Sequence, residues 1–391
     1  MADAVIVSAV RSAIGKKKGT LSATRADDLL AHVLTAAVDR IHLGPKEIDD
    51  VICGCVTQVG EQGFNIARTA ALMAGFPIEV TGTSVNRQCG SSQQALHFAA
   101  MAVMSGQCDA VIAAGVESMS RIPMGSDAGM GLPGVAPALP FSPLFAEKYT
   151  FVPQHNSAEL IAEKWSISRR ACEELAMSSH QRAAKAREIG RFRDEIVPFK
   201  VKNPAGMEVT FDADEGIRPD TSLEKLGSLA AVVKPDGVVT AGTASQISDG
   251  AAALVVMSAE KAKRLGLKPR ARIVATSCAG VDPTMMLHGV IPATQKVLTR
   301  AGLKKEDIAL VEINEAFASV PLAWSKELSW SLDNVNVNGG AMALGHPLGA
   351  SGARLATTLI HELEKRDARY GLQTMCIGFG QATATIFDRK F

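Results

Sequence analysis

Val85-Asn-Arg-Gln-Cys89-Gly-Ser-Ser-Gln-Gln-Ala95 is where the chain turns from strand to helix around a cysteine. The run 81–85 is strand-like and apolar, and 93–104 is a long Ala-rich run that reads as helix. Cys89 is therefore expected at the turn, over the positive end of a helix. That position is expected to stabilise a thiolate and to offer backbone N–H groups to an oxyanion. A cysteine with only a packing role gives the same local pattern, so the remainder of the chain has to decide.

On the N-terminal side, 4–9 reads as a strand, 26–41 as a helix with apolar residues at helical period, 51–56 as a short strand and 65–74 as a helix. On the C-terminal side, 110–114 is a further buried strand. The order βαβαβαβ belongs to a layered α/β sheet. After Gly115 the prolines at 123, 133, 137, 140, 143 and 153 interrupt regular structure. Two helices are expected beyond them, 157–165 and 168–189, with Ser157 and Ser168 as N-caps. The stretch 195–243 is short-stranded and rich in turns, so 120 to about 245 reads as an inserted lobe without a large core of its own. Alternation resumes at 251–258 and runs through strands at 271–277 and 308–313, a helix from Glu315, the Gly-rich 338–345 and a long helix over 350–363. Strands at 372–377 and 382–387 finish the chain.

The two α/β parts look like copies. Ile48 corresponds to Ile308 and Val51 to Val311, and the same offset of 260 carries Cys89-Gly-Ser-Ser onto Gly349-Ala-Ser-Gly. Each member of the latter pair opens a long Ala-rich helix. Two matches at one offset, around matching elements, indicate duplication. The equivalent helix starts are then expected to meet near a pseudo-twofold axis, with a site assembled from both halves.

Length and composition bound the function. The 391 residues are 47% hydrophobic and only 5% aromatic, with 34 glycines, which suits an Ala/Gly/Val-rich α/β protein of two or three domains. Forty-one basic against forty acidic residues leave a net charge of +1, without the basic footprint of a nucleic-acid binder. The Lys16-Lys17-Lys18 run reads as a solvated face. No signal peptide opens the sequence, and no stretch reaches the roughly 18 apolar residues of a membrane span. Seven scattered cysteines do not form a disulfide framework. A cytoplasmic protein with reduced thiols, no membrane and no nucleic-acid partner is expected.

Three further segments bear on Cys89. Glu312-Ile-Asn314-Glu-Ala-Phe-Ala follows a strand, which puts Asn314 at a carboxyl end where open α/β sheets place ligands; a plain helix N-cap is the alternative. His346 lies in Asn338-Gly-Gly-Ala-Met-Ala-Leu-Gly-His346-Pro-Leu-Gly, a Gly-rich approach to a helix that fits a positioned base. Cys376 ends a buried strand in Thr374-Met-Cys376-Ile-Gly-Phe-Gly and lacks the spacing of a redox or zinc pair. Cys53 and Cys55 form no metal cluster, and Cys108, Cys172 and Cys278 read as packing residues. Cys nucleophile, His base, Asn donor and second Cys acid make a set for reversible acyl transfer, although other Cys-His enzymes share these parts.

Over essentially the whole chain the sequence resembles the thiolase family. The matching motifs are Asn86-Arg-Gln-Cys89-Gly-Ser, Asn314-Glu-Ala-Phe317-Ala, Asn338-Gly-Gly-Ala through Gly345-His346-Pro, and Cys376-Ile-Gly378. Arg218-Pro-Asp-Thr-Ser, Thr240-Ala-Gly-Thr-Ala-Ser245 and Ser248-Asp-Gly-Ala-Ala match as well. The resemblance implies the five-layered thiolase fold: two duplicated halves, 1–119 and 250–391, with a CoA-binding loop domain at 120–249. It also implies a dimer or a dimer of dimers, and CoA as co-substrate without a permanently bound cofactor. It further implies thiolytic cleavage of 3-ketoacyl-CoA. In that reaction Cys89 attacks, His346 takes its proton, Cys376 protonates the leaving enolate, Asn314 holds a water beside it, and the N–H groups of Cys89 and Gly378 hold the oxyanion. His155, Arg218, Ser245, Phe317 and Met286 are implied as CoA or acyl contacts. A thiolase running condensation of acetyl-CoA and a non-catalytic acyl-CoA binder are the alternatives.

Two segments depart from the family pattern. Phe379 stands where the middle Gly of Gly-Gly-Gly is usual, either reshaping the pocket or packing behind it. Met286-Leu-His288 replaces a Gly-rich segment near the acyl pocket. The wording is closer to degradative thiolases, including actinobacterial forms acting on bulky or steroid-derived chains.

Overall fold

The computed structural model describes residues 2–129 and 141–391. Pro133, Pro137 and Pro140, expected to break up the lobe, lie outside the described residues. In chain order the strands are β1 (Ala4–Arg11), β2 (Gly15–Lys16), β3 (Asp50–Gly54), β4 (Thr81–Val85), β5 (Ala110–Ser118), β6 (Phe199–Lys202) and β7 (Glu208–Phe211). They continue with β8 (Ser248–Ser258), β9 (Ala271–Gly280), β10 (Ile308–Ile313), β11 (Tyr370–Ile377) and β12 (Gln381–Asp388). Among the described residues all but β6 and β7 join one sheet, in the order β10-β11-β12-β9-β1-β8-β5-β3-β4, with β2 on β8.

The duplication is visible down to strand register. Asp50 pairs with Val111 and Val51 with Ile112 in the parallel β3–β5 ladder, while Leu310 pairs with Gly371 and Val311 with Leu372 in β10–β11. Those are the same pairs displaced by 260. Outward from the centre, β1-β8-β5-β3 repeats β9-β12-β11-β10, and the two halves join where β1 meets β9 at Val5–Arg272 and Ile6–Ala271. On the outer side of β10, where β4 would have its counterpart, there is among the described residues only a bridge between Val311 and Val335. The sequence places β8 with the C-terminal half, yet it lies between β5 and β1, inside the first half of the sheet.

The central strands are buried end to end, β5 and β8 at every position, as continuous apolar runs between helical layers require. The helices Ser91–Met104 and Ser351–Lys365 form the inner layer. Ser351–Lys365 is buried from Ser351 to Leu363, its polar face with Arg354, His361 and Glu362 as well as its apolar stripe. Their starts meet as expected: Ala353 N–H donates to Ser92 Oγ at 2.9 Å. Gly352 permits the approach, since a β-carbon there would lie 2.3 Å from Gln93 N.

The lobe helices are Gln154–Lys164 and Arg169–Glu188. Ser168 caps the second through Ala171 N–H. Ser157 does not cap the first, which begins three residues earlier behind Pro153; Pro at the entry sets the backbone and removes a donor that would be unpaired there. The lobe buries its apolar face on the C-terminal half, with Ala158, Ile161, Trp165 and Cys172 in one cluster with Val311, Val320 and Trp324. Arg11, fully buried at the end of β1, fastens the lobe's far side by a two-pronged bridge to Asp214 at 2.7 and 2.9 Å and a third bond to Glu195 at 2.7 Å. The Lys16, Lys17 and Lys18 run is exposed.

Candidate active site

The turn that carries Cys89 is knit by its neighbours. Asn86 donates from Nδ2 to Val56 O at 3.0 Å and accepts the Gln88 N–H at 2.8 Å. Ser91 Oγ donates to Gln88 O at 2.6 Å and accepts the Arg87 N–H at 2.9 Å. This closure holds Gln88 at φ +48°, a left-handed conformation costly for a side chain with a β-carbon. Gly90 then caps the helix Ser91–Met104, so the sulfur sits at the helix start, as the sequence indicates.

Its charge state corrects the expectation of a stabilised thiolate. Burial pushes the Cys89 thiol up to about 11, against the lowering effect of the backbone of Gly378, the backbone of Cys89 itself and the Gln154 side chain. Desolvation of a sulfur anion outweighs three donors, and Glu117 nearby adds repulsion.

Around it the structure gathers three of the expected partners. Burial first, then the proximity of Cys89, holds the Cys376 thiol protonated, while Asn314 offers it a side-chain hydrogen bond. Asn314 in turn donates from Nδ2 to His346 Nε2 at 3.3 Å. The helix expected from Glu315 begins only at Ser319, which leaves Asn314 in the turn after β10 rather than capping a helix. Its Oδ1 is buried without a partner among the described residues.

The tautomer of His346 follows from its other side. Ser351 Oγ lies 2.6 Å from His346 Nδ1 and donates its own proton to Pro347 O at 2.8 Å. Nδ1 is therefore the protonated nitrogen and Nε2 carries the lone pair. Burial, with the Arg354 guanidinium, lowers the imidazole to about 3, so it is neutral at physiological pH and able to take a proton. The His346 N–H is held by Gln246 O and Ser248 Oγ, both at 3.2 Å.

Beside Cys89 opens a cavity of about 420 Å³, walled by Val56, Phe141, Phe151, Met286, Leu348 and Phe379, with Gln88, Gln154 and Gly378 near the sulfur. Met286 and Gly378 both line this cavity. Phe379, at φ +61°, faces the cavity instead of packing behind it, and its ring lies 5.2 Å from Phe141 and 5.9 Å from Phe151. His155, Arg218, Ser245 and Phe317 do not line this cavity. Ser245 and Phe317 are partly buried and adjoin through the Ala244–Phe317 bridge, and Arg218 is exposed, its N–H donating to His180 Nδ1 at 3.1 Å.

Sequence reasoning missed four residues. Ser351 stands five positions beyond His346, a spacing without a local signature. Gln154 arrives from the lobe, and Ser248 opens β8 in the central sheet, within a stretch that matches the family but carries no assigned role. Glu117 lies within an apolar strand, where a buried carboxylate is itself the available signal.

The thiolase N-terminal domain model matches residues 4–260 and the thiolase C-terminal domain model 267–389. The chain is 48% identical to a 3-ketoacyl-CoA thiolase of Vibrio cholerae over the whole of both proteins, and 48% identical to one of Aeromonas salmonicida, again with full coverage of each. A crystal structure of the Bacillus anthracis acetyl-CoA acetyltransferase superposes with a TM-score of 0.92 at 42% identity, covering 100% of this chain and 99% of that one. Human mitochondrial 3-ketoacyl-CoA thiolase does so with a TM-score of 0.90 at 36% identity and the same coverage. The two domain models, taken in order along a duplicated α/β fold, show that the chain belongs to the thiolase family.

Proposed function

We propose that this chain cleaves 3-ketoacyl-CoA with CoA, giving acetyl-CoA or propionyl-CoA and a shortened acyl-CoA, as in fatty-acid or steroid side-chain β-oxidation. The observation that carries this reading is the connected set Cys89, Cys376, Asn314 and His346, buried together at the junction of the two halves. His346 Nε2 accepts the Cys89 proton, and the sulfur attacks the 3-keto carbon. The tetrahedral oxyanion is held by the N–H groups of Cys89 and Gly378. Its collapse breaks the bond between C2 and C3, and the electron pair leaves as the CoA-thioester enolate, stabilised by His346 and a water on Asn314. Cys376 gives that enolate a proton. The Cys376 thiolate then deprotonates incoming CoA, whose sulfur attacks the acyl-enzyme thioester and releases Cys89, to which His346 returns its proton. Each thiol is held neutral by burial until a base or carbanion meets it, which suits proton relays better than a standing thiolate.

His155, Arg218, Ser245 and Phe317, away from the acyl-side cavity, are assigned to CoA, and the lobe 120–249 is assigned to its recognition. CoA is co-substrate in this scheme, and no step calls for a resident cofactor. Self-association as a dimer or dimer of dimers is part of the same reading. It is supported by β4 at the end of the sheet with exposed Phe64, Leu72, Met73 and Ile78 close by in sequence. Among the described residues no helix is long and apolar enough to cross a membrane, and all seven cysteines are free, which supports a reducing, cytoplasmic location.

The test is CoA-dependent loss of 3-ketoacyl-CoA across short, long and bulky acyl chains, with Cys89→Ala as control. Turnover that disappears in the variant is expected; acyl-CoA binding without turnover on any substrate would make the chain a binder. A monomer in light scattering at micromolar concentration would remove the self-association.

A further inference from the structure

Within the cavity Gln154 has no role in the scheme above, yet it is a lobe residue that lines the cavity together with the nucleophile. It is the first residue of the helix Gln154–Lys164, and Pro153 ahead of it, at φ −59° and ψ 152°, fixes the direction from which it enters. Its side chain lines the cavity beside Cys89 and Gly378. A β-carbon added to Gly378 would lie 2.9 Å from Gln154 Nε2, so the amide nitrogen lies against the peptide whose backbone bonds the sulfur. A primary amide nitrogen has two protons and no acceptor capacity. Directed at sulfur, it favours whichever state of that atom carries negative charge.

We propose that Gln154 is a further catalytic residue. Its side-chain N–H joins those of Gly378 and Cys89 in stabilising the negative charge that passes from the Cys89 sulfur to the acyl oxyanion. The assignment rests on Cys89 being the nucleophile of the thiolase reaction. It makes the active site an assembly of three parts, not two: Cys89 from the first half, Gly378 from the second, and Gln154 from the inserted lobe. A lobe displaced from the site removes a donor as well as a wall. Gln154 lies in the stretch from Phe151 to Gln154 that lines the acyl cavity, so the acyl group and the donor bear on the same helix start.

Two variants separate donation from packing. Gln154→Met keeps length and volume without a donor, and Gln154→Glu keeps the shape and brings an acceptor with negative charge. Each is measured for kcat and KM on a 3-ketoacyl-CoA and, without substrate, for the rate of Cys89 alkylation by iodoacetamide at fixed pH. Gln154→Met is expected to lower kcat by about 10- to 100-fold, up to the lower limit of losing a principal oxyanion donor. It is expected to slow alkylation by about three- to tenfold, as a higher thiol pKa requires. Gln154→Glu is expected to be worse in both. Equal losses in the two variants would show that Gln154 only packs, and a Met variant with unchanged kcat and alkylation would overturn the proposal outright. Alkylation reads the sulfur without any substrate. An unsubstituted enzyme with no turnover would therefore remove the thiolase reaction, while an alkylation rate indifferent to Gln154 would remove the donor.

Discussion

His346 Nδ1 and Ser351 Oγ lie 2.6 Å apart, and the hydroxyl proton is engaged by Pro347 O. The serine thus accepts, the imidazole donates, and the basic nitrogen is turned toward Asn314. Ser351→Ala keeps the helix start but frees the ring to take the other tautomer. The expected result is a fall in kcat of about 10- to 100-fold, part of the 10²–10⁴ a positioned base supplies, with KM little changed. A variant with full kcat would show that the ring needs no such partner.

Cys89, protonated up to about 11, makes the free enzyme a poor thiolate. Only the anion reacts with iodoacetamide, so alkylation should rise about tenfold per pH unit from neutrality until pH approaches that value. The sign is set by burial: a raised pKa moves reactivity upward in pH, and acyl-CoA in the cavity should protect. The check is the pH–rate profile of Cys89 carboxymethylation by peptide mapping. A plateau at or below pH 7 would mean a preformed thiolate–imidazolium pair and would contradict the neutral resting state.

Strand and helix alternation, the duplication and the placing of Cys89, His346, Cys376 and Asn314 were legible because each rests on local pattern or on a repeat within the chain. The Asp50–Val111 and Leu310–Gly371 pairs reproduce one register at the offset that Ile48 and Ile308 already show. The charge state of Cys89 was not legible. A helix start and its donors can be inferred from Gly90-Ser91, but the desolvation that outweighs them comes from Leu348, Met375 and Val56, three separate segments. Gln154 and Ser157 show a second limit. Ser is a good cap, yet Pro153 starts the lobe helix earlier, and that start puts Gln154 at its head, where it lines the cavity beside Cys89.

Phe379 holds a conformation that suits glycine, at φ +61°. Phe379→Gly relieves about 1–2 kcal/mol of backbone strain. It gives up aromatic contacts with Phe141 and Phe151 worth about 0.5–1.5 kcal/mol beyond area burial, and with them part of the roughly 1.5–3 kcal/mol that a buried phenyl ring contributes. The losses exceed the relief, so the unfolding midpoint should fall modestly while the cavity widens next to Gly378. Selectivity should then shift, with kcat/KM for the bulkiest acyl chains rising relative to acetoacetyl-CoA. Measured over a series of acyl chains, an unchanged order of preference would show that Phe379 does not shape the pocket.

Glu117 ties the wall of the cavity to the loop that carries His346. Fully buried, its carboxylate accepts from Val56 N at 2.9 Å, Thr57 N at 3.1 Å, Gln62 Nε2 at 2.8 Å and Gly349 N at 2.9 Å. Gly349 must be glycine for this, since a β-carbon would lie 2.7 Å from Glu117 Oε2. Burial raises the carboxyl and the donors lower it, and four N–H groups with no acceptor among them can be met in full only by the anion. Oε2 takes the Val56 and Gly349 N–H groups and Oε1 those of Thr57 and Gln62, so Glu117→Gln turns an NH₂ toward one of these pairs and leaves two donors buried and unpaired, at a cost of about 1–3 kcal/mol each. With the NH₂ on the Val56 and Gly349 side, the base loop and the acyl wall loosen together. The unfolding midpoint should drop, and kcat should fall with it while Cys89 remains open to alkylation. Glu117→Asp, which keeps the charge but shortens the reach, should recover part of the stability. Equal stability in Glu117→Gln and the parent would show that the protonated acid serves as well as the anion.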